Sequence, residues 1–569
     1  MNNRILISPL CVEVHCANND TQTRDKLVDI FPLHVNRSRT IYKTSIHNVP
    51  EVLSALRNIT SSNIDTAPHA VQEYYRNEMY QREQVADLLA NGPKESSEVT
   101  TNLTLNRHQQ LGRELAHVRD RYAFFYDTRT GKTPMSLAIM RDDIIANPKH
   151  KWLVVCPLIL IENAWIPDAA NFIPDIRVIS CHDTTPAKRI KRIESDASIY
   201  VTNTESFVKY KEYFDKVGFT GCFIDESSDM KSPKSKVSKA LVDFAQTVSR
   251  FYLLSGTPAP NGEYEYYMQL KAVDYYSVPS SYTQFKERFF TNTSYNPQYE
   301  KLALRPDRKD ALLSLIKRYA LYVDKEDVLT TPGRTFHEVE FELPAELKTH
   351  YNKLKNELYV ELNDDLKITA PSTAAKLNKL NQVTSGFIID TRAVKENKFY
   401  DDSNATEWYL LDYFRFKVLQ DLLDKDTVKG EQVLIWANYR TEFEIIQKAL
   451  GDRCRCIYGG TTITEKNEAI RLFKEGKIQY LIANPASADK GLTLTNAHIS
   501  IYFSLNWSYE LFKQSMERIY GDIRKQPKHC DYYVLLAKGT IDRVLYSDVL
   551  QGKGTASHAI LDHLKGGNI

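Results

Sequence analysis

No apolar run in this chain is long enough to cross a bilayer, and none of its eight cysteines stands at metal-ligand spacing. The first absence argues against a helical membrane protein, and no membrane partner is expected. MNNRILISPLCVEVHC lacks a long apolar core ending in small residues, so a secretory leader is not expected either. Cys11, Cys16, Cys156, Cys181, Cys222, Cys454, Cys456 and Cys530 are scattered; Cys454 and Cys456 are one residue apart, which is not zinc-ribbon spacing. Reduced thiols in a cytoplasmic protein are the expectation. His108, His182 and His498 have no ligand-spaced partner, so a histidine metal site is not expected. Charge excess is missing too. The 74 Lys and Arg nearly cancel the 72 Asp and Glu, so nucleic-acid binding would need a local basic track. There is no short-period repeat. What remains is a globular composition, 42% hydrophobic and 26% charged over 569 residues, enough for two to four domains. The 34 tyrosines suit cores and base-stacking surfaces alike.

Alternating apolar runs and amphipathic stretches divide the chain. Residues 1–90 read as a small α+β module: strand ILISPLCVEV, helix TRDKLVDIF, strand RTIYKTSI, and a helix that Asn48 could cap. Residues 91–102 read as a polar linker. Across 103–335, the runs WLVVCPLIL, SIYVTNTES, GCFIDES and RFYLLSGTP fit a doubly wound parallel sheet. ELKTHYNKLKNELYVEL reads as one helix, and 363–408 as irregular. Within 336–569 a second alternating unit begins near Tyr409, with strands in EQVLIWANYR, CRCIYGG, IQYLIANP, ISIYFSL and DYYVLLA. The fold class expected is therefore α/β, two tandem doubly wound parallel-sheet lobes with a small N-terminal α+β module.

Two strings carry chemistry. In YAFFYDTRTGKTPMSLA a strand runs through Gly131, Lys132 and Thr133 into a helix, the arrangement that cradles phosphate on backbone N–H groups. Lys132 would pair with phosphate oxygens, Thr133 with Mg²⁺, and Arg129 would add charge beside Thr130. A full phosphate loop wants a further glycine where Tyr126 stands. In GCFIDESSDMKS a strand ends on Asp225, suited to hold Mg²⁺, and Glu226, suited to orient a water. Together they imply hydrolysis of a nucleoside triphosphate. Lys188, Arg189, Lys191 and Arg192 form one basic cluster, and Lys231, Lys234, Lys236 and Lys239 another.

The order of motifs resembles the Swi/Snf-type DNA translocases of helicase superfamily two, over about Leu105 to Tyr546. The resemblance implies two RecA-like lobes with ATP between them. Gln109 of LTLNRHQQLG would read adenine. VVCPLILIENAW, with Pro157 and Trp165, and YVTNTESF, with Thr202 and Thr204, match family motifs on the DNA side, and Lys231 follows the acidic box. LLSGTPAPNGEYEYYMQL matches the coupling motif, Ser255-Gly256-Thr257. In the second unit Asn438 and Tyr439, then Gly459, Gly460 and Thr461, then Thr493 and Trp507 would face DNA; Gly491 and Gln514 would face nucleotide. QSMERIYGDIRKQ resembles the arginine-finger motif, with Gly521 in place of its second arginine. Arg518 and Arg524 are both left as finger candidates. The N-terminal module resembles the HARP-type modules of annealing helicases and the corresponding domain of the phage UvsW branch-migration helicase. The implied protein is a monomeric ATP- and Mg²⁺-dependent motor on duplex or branched DNA, with replication or recombination proteins as partners, in the cytoplasm (of the host, if viral). An RNA helicase and a catalytically dead DNA-binding scaffold remain as alternatives.

Overall fold

The computed structural model describes residues 4–7, 11–15, 34–36, 41–60, 69–93, 98–100, 102–293, 300, 302–357, 359–363, 366–369, 373–389, 408–488, 493–506, 508–524 and 526–547. They fall in two compact units that divide between Val328 and Leu329.

The first unit opens with β1 (Arg4–Ile7), β2 (Cys11–His15), β3 (His34–Val35) and β4 (Ile41–Ser45), an antiparallel sheet in the order β1-β2-β4-β3. ILISPLCVEV is thus two strands, not one: Ile5 pairs with Val14 and Ile7 with Val12. The TRDKLVDIF helix falls outside the described residues. A helix spans Val49–Thr60, but Asn48 does not cap it. Ser45 starts a short turn by accepting the His47 N–H at 3.0 Å, while Asn48 is buried and donates to Thr44 Oγ1 at 2.8 Å. The helix His69–Asn91 is unanticipated, because its apolar residues are sparse: Val71 and Tyr75 pack on the N-terminal core, and Val85, Leu88 and Leu89 on the core beneath the parallel sheet. Charge fastens it between them. Glu78 accepts from Arg82 Nε at 2.7 Å, from Arg119 Nη1 at 2.8 Å and pairs with His47 Nδ1 at 2.7 Å. Arg82 and Arg318 meet on Glu51 at 2.8 and 3.0 Å. Since Arg119 and Arg318 belong to the segment that follows, these ion pairs fasten the N-terminal module to it. Within the stretch read as linker lies β5 (Glu98–Thr100), which pairs with β6 (Leu103–Thr104) just beyond it.

Then comes a parallel sheet of β7 (Arg121–Tyr126), β8 (Trp152–Cys156), β9 (Val178–Ser180), β10 (Ile199–Asn203), β11 (Gly221–Asp225), β12 (Arg250–Leu254) and, after a ribbon of β13 (Phe290–Asn292) and β14 (Leu302–Leu304), β15 (Ala320–Val323). The order is β15-β7-β12-β11-β8-β10-β9. Helices cover both faces, which is why the strands read as unbroken apolar runs. Phe124, Val154, Phe223 and Tyr252 pack on one side; Phe125, Val155, Ile224 and Leu253 pack on the other.

The second unit holds a six-stranded parallel sheet, β16-β25-β24-β21-β23-β22. Its strands are β16 (Arg334–Phe341), β21 (Val433–Trp436), β22 (Cys454–Ile457), β23 (Tyr480–Ala483), β24 (Ile499–Tyr502) and β25 (Cys530–Ala537). The ribbons β17 (Tyr359–Asn363) with β18 (Leu366–Thr369), and β19 (Phe387–Ile389) with β20 (Trp408–Leu410), lie between β16 and β21 in sequence. The helix read over 346–362 therefore ends at Glu357, and the β-branched and aromatic tail YVELN becomes β17. The segment read as irregular contains the helix Thr373–Thr384. Arg415 is buried and donates to Asp542 at 2.9 Å, to Phe503 O at 2.6 Å and to Leu535 O at 2.8 Å. This one guanidinium satisfies carbonyls from several elements of the lobe. Both units have the α/β architecture expected, each with a wholly parallel main sheet. Among the described residues no helix is long and apolar enough to cross a membrane.

Candidate nucleotide site and nucleic-acid face

Three motifs of the first unit ride at the C-terminal ends of three neighbouring strands, β7, β12 and β11. Parallel strands put their ligand-bearing loops at that edge. After β7 the chain turns through Arg129 at φ 65° and Gly131 at φ 82°, and the helix Lys132–Ala146 begins. A Cβ on Gly131 would stand 1.9 Å from Gln109 Nε2, so a larger residue would have to displace that amide as well as take the strained φ. Gln109 donates to Thr130 O at 3.0 Å, and His108 Nε2–H donates to the same carbonyl at 2.7 Å. Burial pushes the His108 imidazole below its ordinary pKa, which keeps it neutral. Thr130 Oγ1 closes the turn on Asp127 O at 2.8 Å. Lys132 Nζ lies against Tyr126 O at 3.0 Å and Asp127 O at 3.1 Å, over the mouth of the turn. Thr133 is half-buried in the first turn of the helix. Tyr126, at the position of the missing glycine, is fully buried and donates to His108 O at 2.8 Å. It braces the helix Arg107–Val118 against β7, so the departure from the phosphate-loop pattern sits in the core and not in the cradle.

At the end of β11, Asp225 and Glu226 are each 8% exposed. Asp225 Oδ1 accepts the Glu226 N–H at 3.0 Å, and Oδ2 accepts Trp165 Nε1–H at 3.0 Å. Glu226 takes φ 56°, a left-handed conformation costly for a side chain that bears a Cβ. Burial and the Asp225 charge hold the Cys156 thiol well above its ordinary pKa, so no second anion forms there. At the end of β12, Ser255 Oγ accepts the Thr257 N–H at 3.1 Å. A Cβ on Gly256 would meet Thr128 N at 3.2 Å, so this segment packs directly on the turn over residues 128–131. Ser227 donates to Gln269 Oε1 at 2.8 Å, and Gln269 Nε2 donates to Pro258 O at 2.6 Å. The acidic box and the Ser255–Thr257 segment thus share a buried relay. Reading the strings separately gave no sign of Trp165 as a partner of Asp225, or of Gln269.

The expected DNA contacts divide. Pro157, Thr204 and Lys231 are partly exposed at the same edge of the sheet, and Lys234, Lys236 and Lys239 are exposed beyond Lys231. Thr202 is corrected: it lies inside β10 with no exposed surface and cannot touch a phosphate. Its β-branched side chain serves the strand. Arg189 and Arg192 of the other basic cluster are engaged within their own segment, donating to Asp183 O and to Asp183 Oδ2 at 2.9 Å.

In the second unit Gly460 is exposed in a tight turn, where Thr461 Oγ1 accepts the Tyr458 N–H at 3.1 Å. Asn438 does not simply face outward. It donates to Ser504 O at 2.9 Å and accepts from Asn506 Nδ2 at 3.0 Å, tying the loops after β21 and β24. The buried Glu442 carboxylate, its pKa raised by burial, accepts the Asn438 N–H at 2.8 Å beneath them. Thr493 is half-buried next to Leu494, whose N–H donates to Arg518 O at 2.8 Å. Gln514 is buried and donates to Glu510 at 3.3 Å. Arg518 is 6% exposed. The Arg524 side chain is 74% exposed and its Nε lies 2.9 Å from Asp522 Oδ2. Gly491 and Trp507 fall outside the described residues.

The SNF2-related domain family matches residues 69–395, and the helicase conserved C-terminal domain matches residues 415–520. Putative protein p41 of Acyrthosiphon pisum secondary endosymbiont phage 1 is 27% identical over 434 residues, covering 73% of this chain and 89% of its own. The human SWI/SNF-related matrix-associated actin-dependent regulator of chromatin subfamily A member 1 is 25% identical over 398 residues, covering 66% of this chain and 35% of its own. The bovine DNA annealing helicase and endonuclease ZRANB3 is 22% identical over 423 residues, covering 70% of this chain and 35% of its own. The chain thus spans about a third of these two mammalian relatives.

Proposed function

We propose, from the premise that this chain belongs to the SNF2-related family, matched over more than half its length, that its ATP hydrolysis drives movement along duplex or branched DNA. One observation carries the reading. Phosphate turn, acidic box and coupling segment stand on adjacent strands of one parallel sheet, with Gly256 packed on Thr128 and Gln269 joining the other two motifs. A change at the triphosphate would then be felt by all three.

Gln109 would read adenine, Lys132 would meet the β/γ-phosphates, and Glu226 would orient the water. Asp225 and Thr133 offer oxygen donors alone, the chemistry Mg²⁺ prefers, and an ionised carboxylate with two hydrogen bonds keeps acceptor capacity for it. When bound, Mg²⁺ would neutralise charge developing on the transferred phosphoryl group. Of the two finger candidates we assign Arg524, the more exposed guanidinium, its side chain 74% exposed where Arg518 is 6% exposed. Lys231, Lys234, Lys236 and Lys239 would hold the DNA backbone without reading sequence.

Fork or branch-point remodelling is the role proposed, supported by the similarity to a relative named as a DNA annealing helicase and to a phage protein. The setting proposed is the cytoplasm, the host's if the gene is viral, with the motor acting as a monomer beside replication or recombination proteins. ATPase turnover measured with forked DNA, linear duplex and RNA tests it. Forked or duplex DNA should stimulate turnover. Stimulation by RNA alone would favour an RNA helicase, and no turnover with any polymer would favour a dead scaffold.

A further inference from the structure

The Trp165 indole is fully buried, yet its N–H points at a carboxylate and not at a carbonyl of its own helix. The residue closes a π-helical turn, Ile161–Trp165, set between two α-helical pieces that follow β8. Such widened turns are rare and often mark functional sites. Here the widening sits just where Trp165 spans 3.0 Å to Asp225 Oδ2, while the Glu226 N–H takes Oδ1 at 3.0 Å. Donors on both oxygens fix the carboxylate before any ligand arrives. A carboxylate left to rotate would have to be ordered at the moment of binding.

We propose that Trp165 is a positioning residue for the metal step of this ATPase: its N–H presets Asp225 for a divalent cation that accompanies the nucleotide. The inference rests on the nucleotide-site reading above. Its specific content is that nucleotide binding without metal does not depend on the indole N–H, whereas the metal's affinity does.

The test compares full-length wild type, W165F and W165H. ADP affinity is measured by calorimetry without metal, and Mn²⁺ affinity in the presence of ADP by loss of the free-ion paramagnetic resonance signal. W165F keeps an aromatic ring and removes the donor. It should bind metal-free ADP like wild type and lose about 10- to 100-fold in Mn²⁺ affinity, the range for removing an outer-shell partner. W165H keeps a ring N–H and should recover part of that loss. Unchanged Mn²⁺ affinity in W165F, or equal losses in both variants, would overturn the proposal and leave Trp165 a packing residue. Should W165F not fold, the indole N–H resonances of ¹⁵N-tryptophan-labelled wild type decide. Mg²⁺ added to the ADP-bound protein should move the one nearest the metal, and no movement overturns the idea. Failure of the wild type to bind ADP would reject the nucleotide site itself, an outcome distinct from a W165F that merely matches wild type.

Discussion

At the residue scale the two signature strings have to be read by what surrounds each side chain. Lys132 lies over the mouth of the phosphate turn, half-exposed, and supports little packing. K132A should therefore abolish DNA-stimulated ATP turnover while the melting temperature stays within a degree or two of wild type (about 0.5 kcal/mol). Glu226, proposed to orient water, should behave differently. E226Q should retain ATP affinity and lose roughly 10²-fold or more in turnover; normal single-turnover hydrolysis would remove its role. Gly131 is constrained twice, by φ 82° and by Gln109 Nε2 at 1.9 Å from a would-be Cβ. G131A should raise the KM for ATP by displacing Gln109 and cost about 1–2 kcal/mol in stability, measurable by denaturant titration beside the ATPase assay. The glycine was legible in the sequence because a turn at φ 82° demands it, and the lysine because the strand–glycine–helix pattern carries one at that point. Trp165 was visible only as a family match, since nothing in local spacing says that an indole 60 positions away will find Asp225.

At the scale of elements, apolar runs identified β7, β8, β10, β11 and β12 of the first parallel sheet and β21 to β25 of the second, because strands covered on two faces must be apolar throughout; the short β9 and β15 and the half-exposed β16 were not read as strands. An element with few apolar residues and much charge escaped too. The helix His69–Asn91 depends on Glu78, whose pKa is depressed: burial opposes the shift, but the contacts with His47 and Arg119 overcome it. The sign follows. A carboxyl whose folded pKa lies below its unfolded value stabilises fully above that unfolded value, near 4.3. The contribution then drains away as pH falls toward the folded value. Docking of residues 69–91 should thus weaken below about pH 4.3, and E78Q should abolish that part of the pH dependence while lowering stability at neutral pH. Amide exchange of the helix across pH 3–7 would register both. The buried Arg415–Asp542 pair, 2.9 Å apart, makes a stronger case. R415A leaves Asp542 buried without its partner and should destabilise the second lobe by about 3–5 kcal/mol, read from a domain-resolved denaturation curve.

At the scale of the whole molecule, a net charge of +2 conceals a local basic run, Lys231 to Lys239, beside the acidic box. If these lysines hold phosphates, K236A/K239A should weaken binding to any duplex alike. The slope of log affinity against log salt should fall by roughly two. A loss confined to one sequence would assign them elsewhere. The finger assignment belongs to this scale too: R524A should bind ATP and DNA yet turn over slowly, whereas R518A should first lower stability, because its side chain is buried.

The amino-acid order by itself determined the α/β class, the two parallel-sheet units, the strand–glycine turn–helix at Gly131 and the acidic strand end. Each of these is imposed by near neighbours in the chain, through apolar continuity, glycine's backbone freedom or the placing of carboxylates just after a strand. Only the tertiary structure decided that Thr202 is buried, that Asn438 ties two loops together, that Tyr126 braces the cradle from the core, and that Trp165 and Gln269 join the motifs to one another. Those facts depend on which distant segments share a sheet edge, and that is set by packing across the fold, to which local patterning is blind.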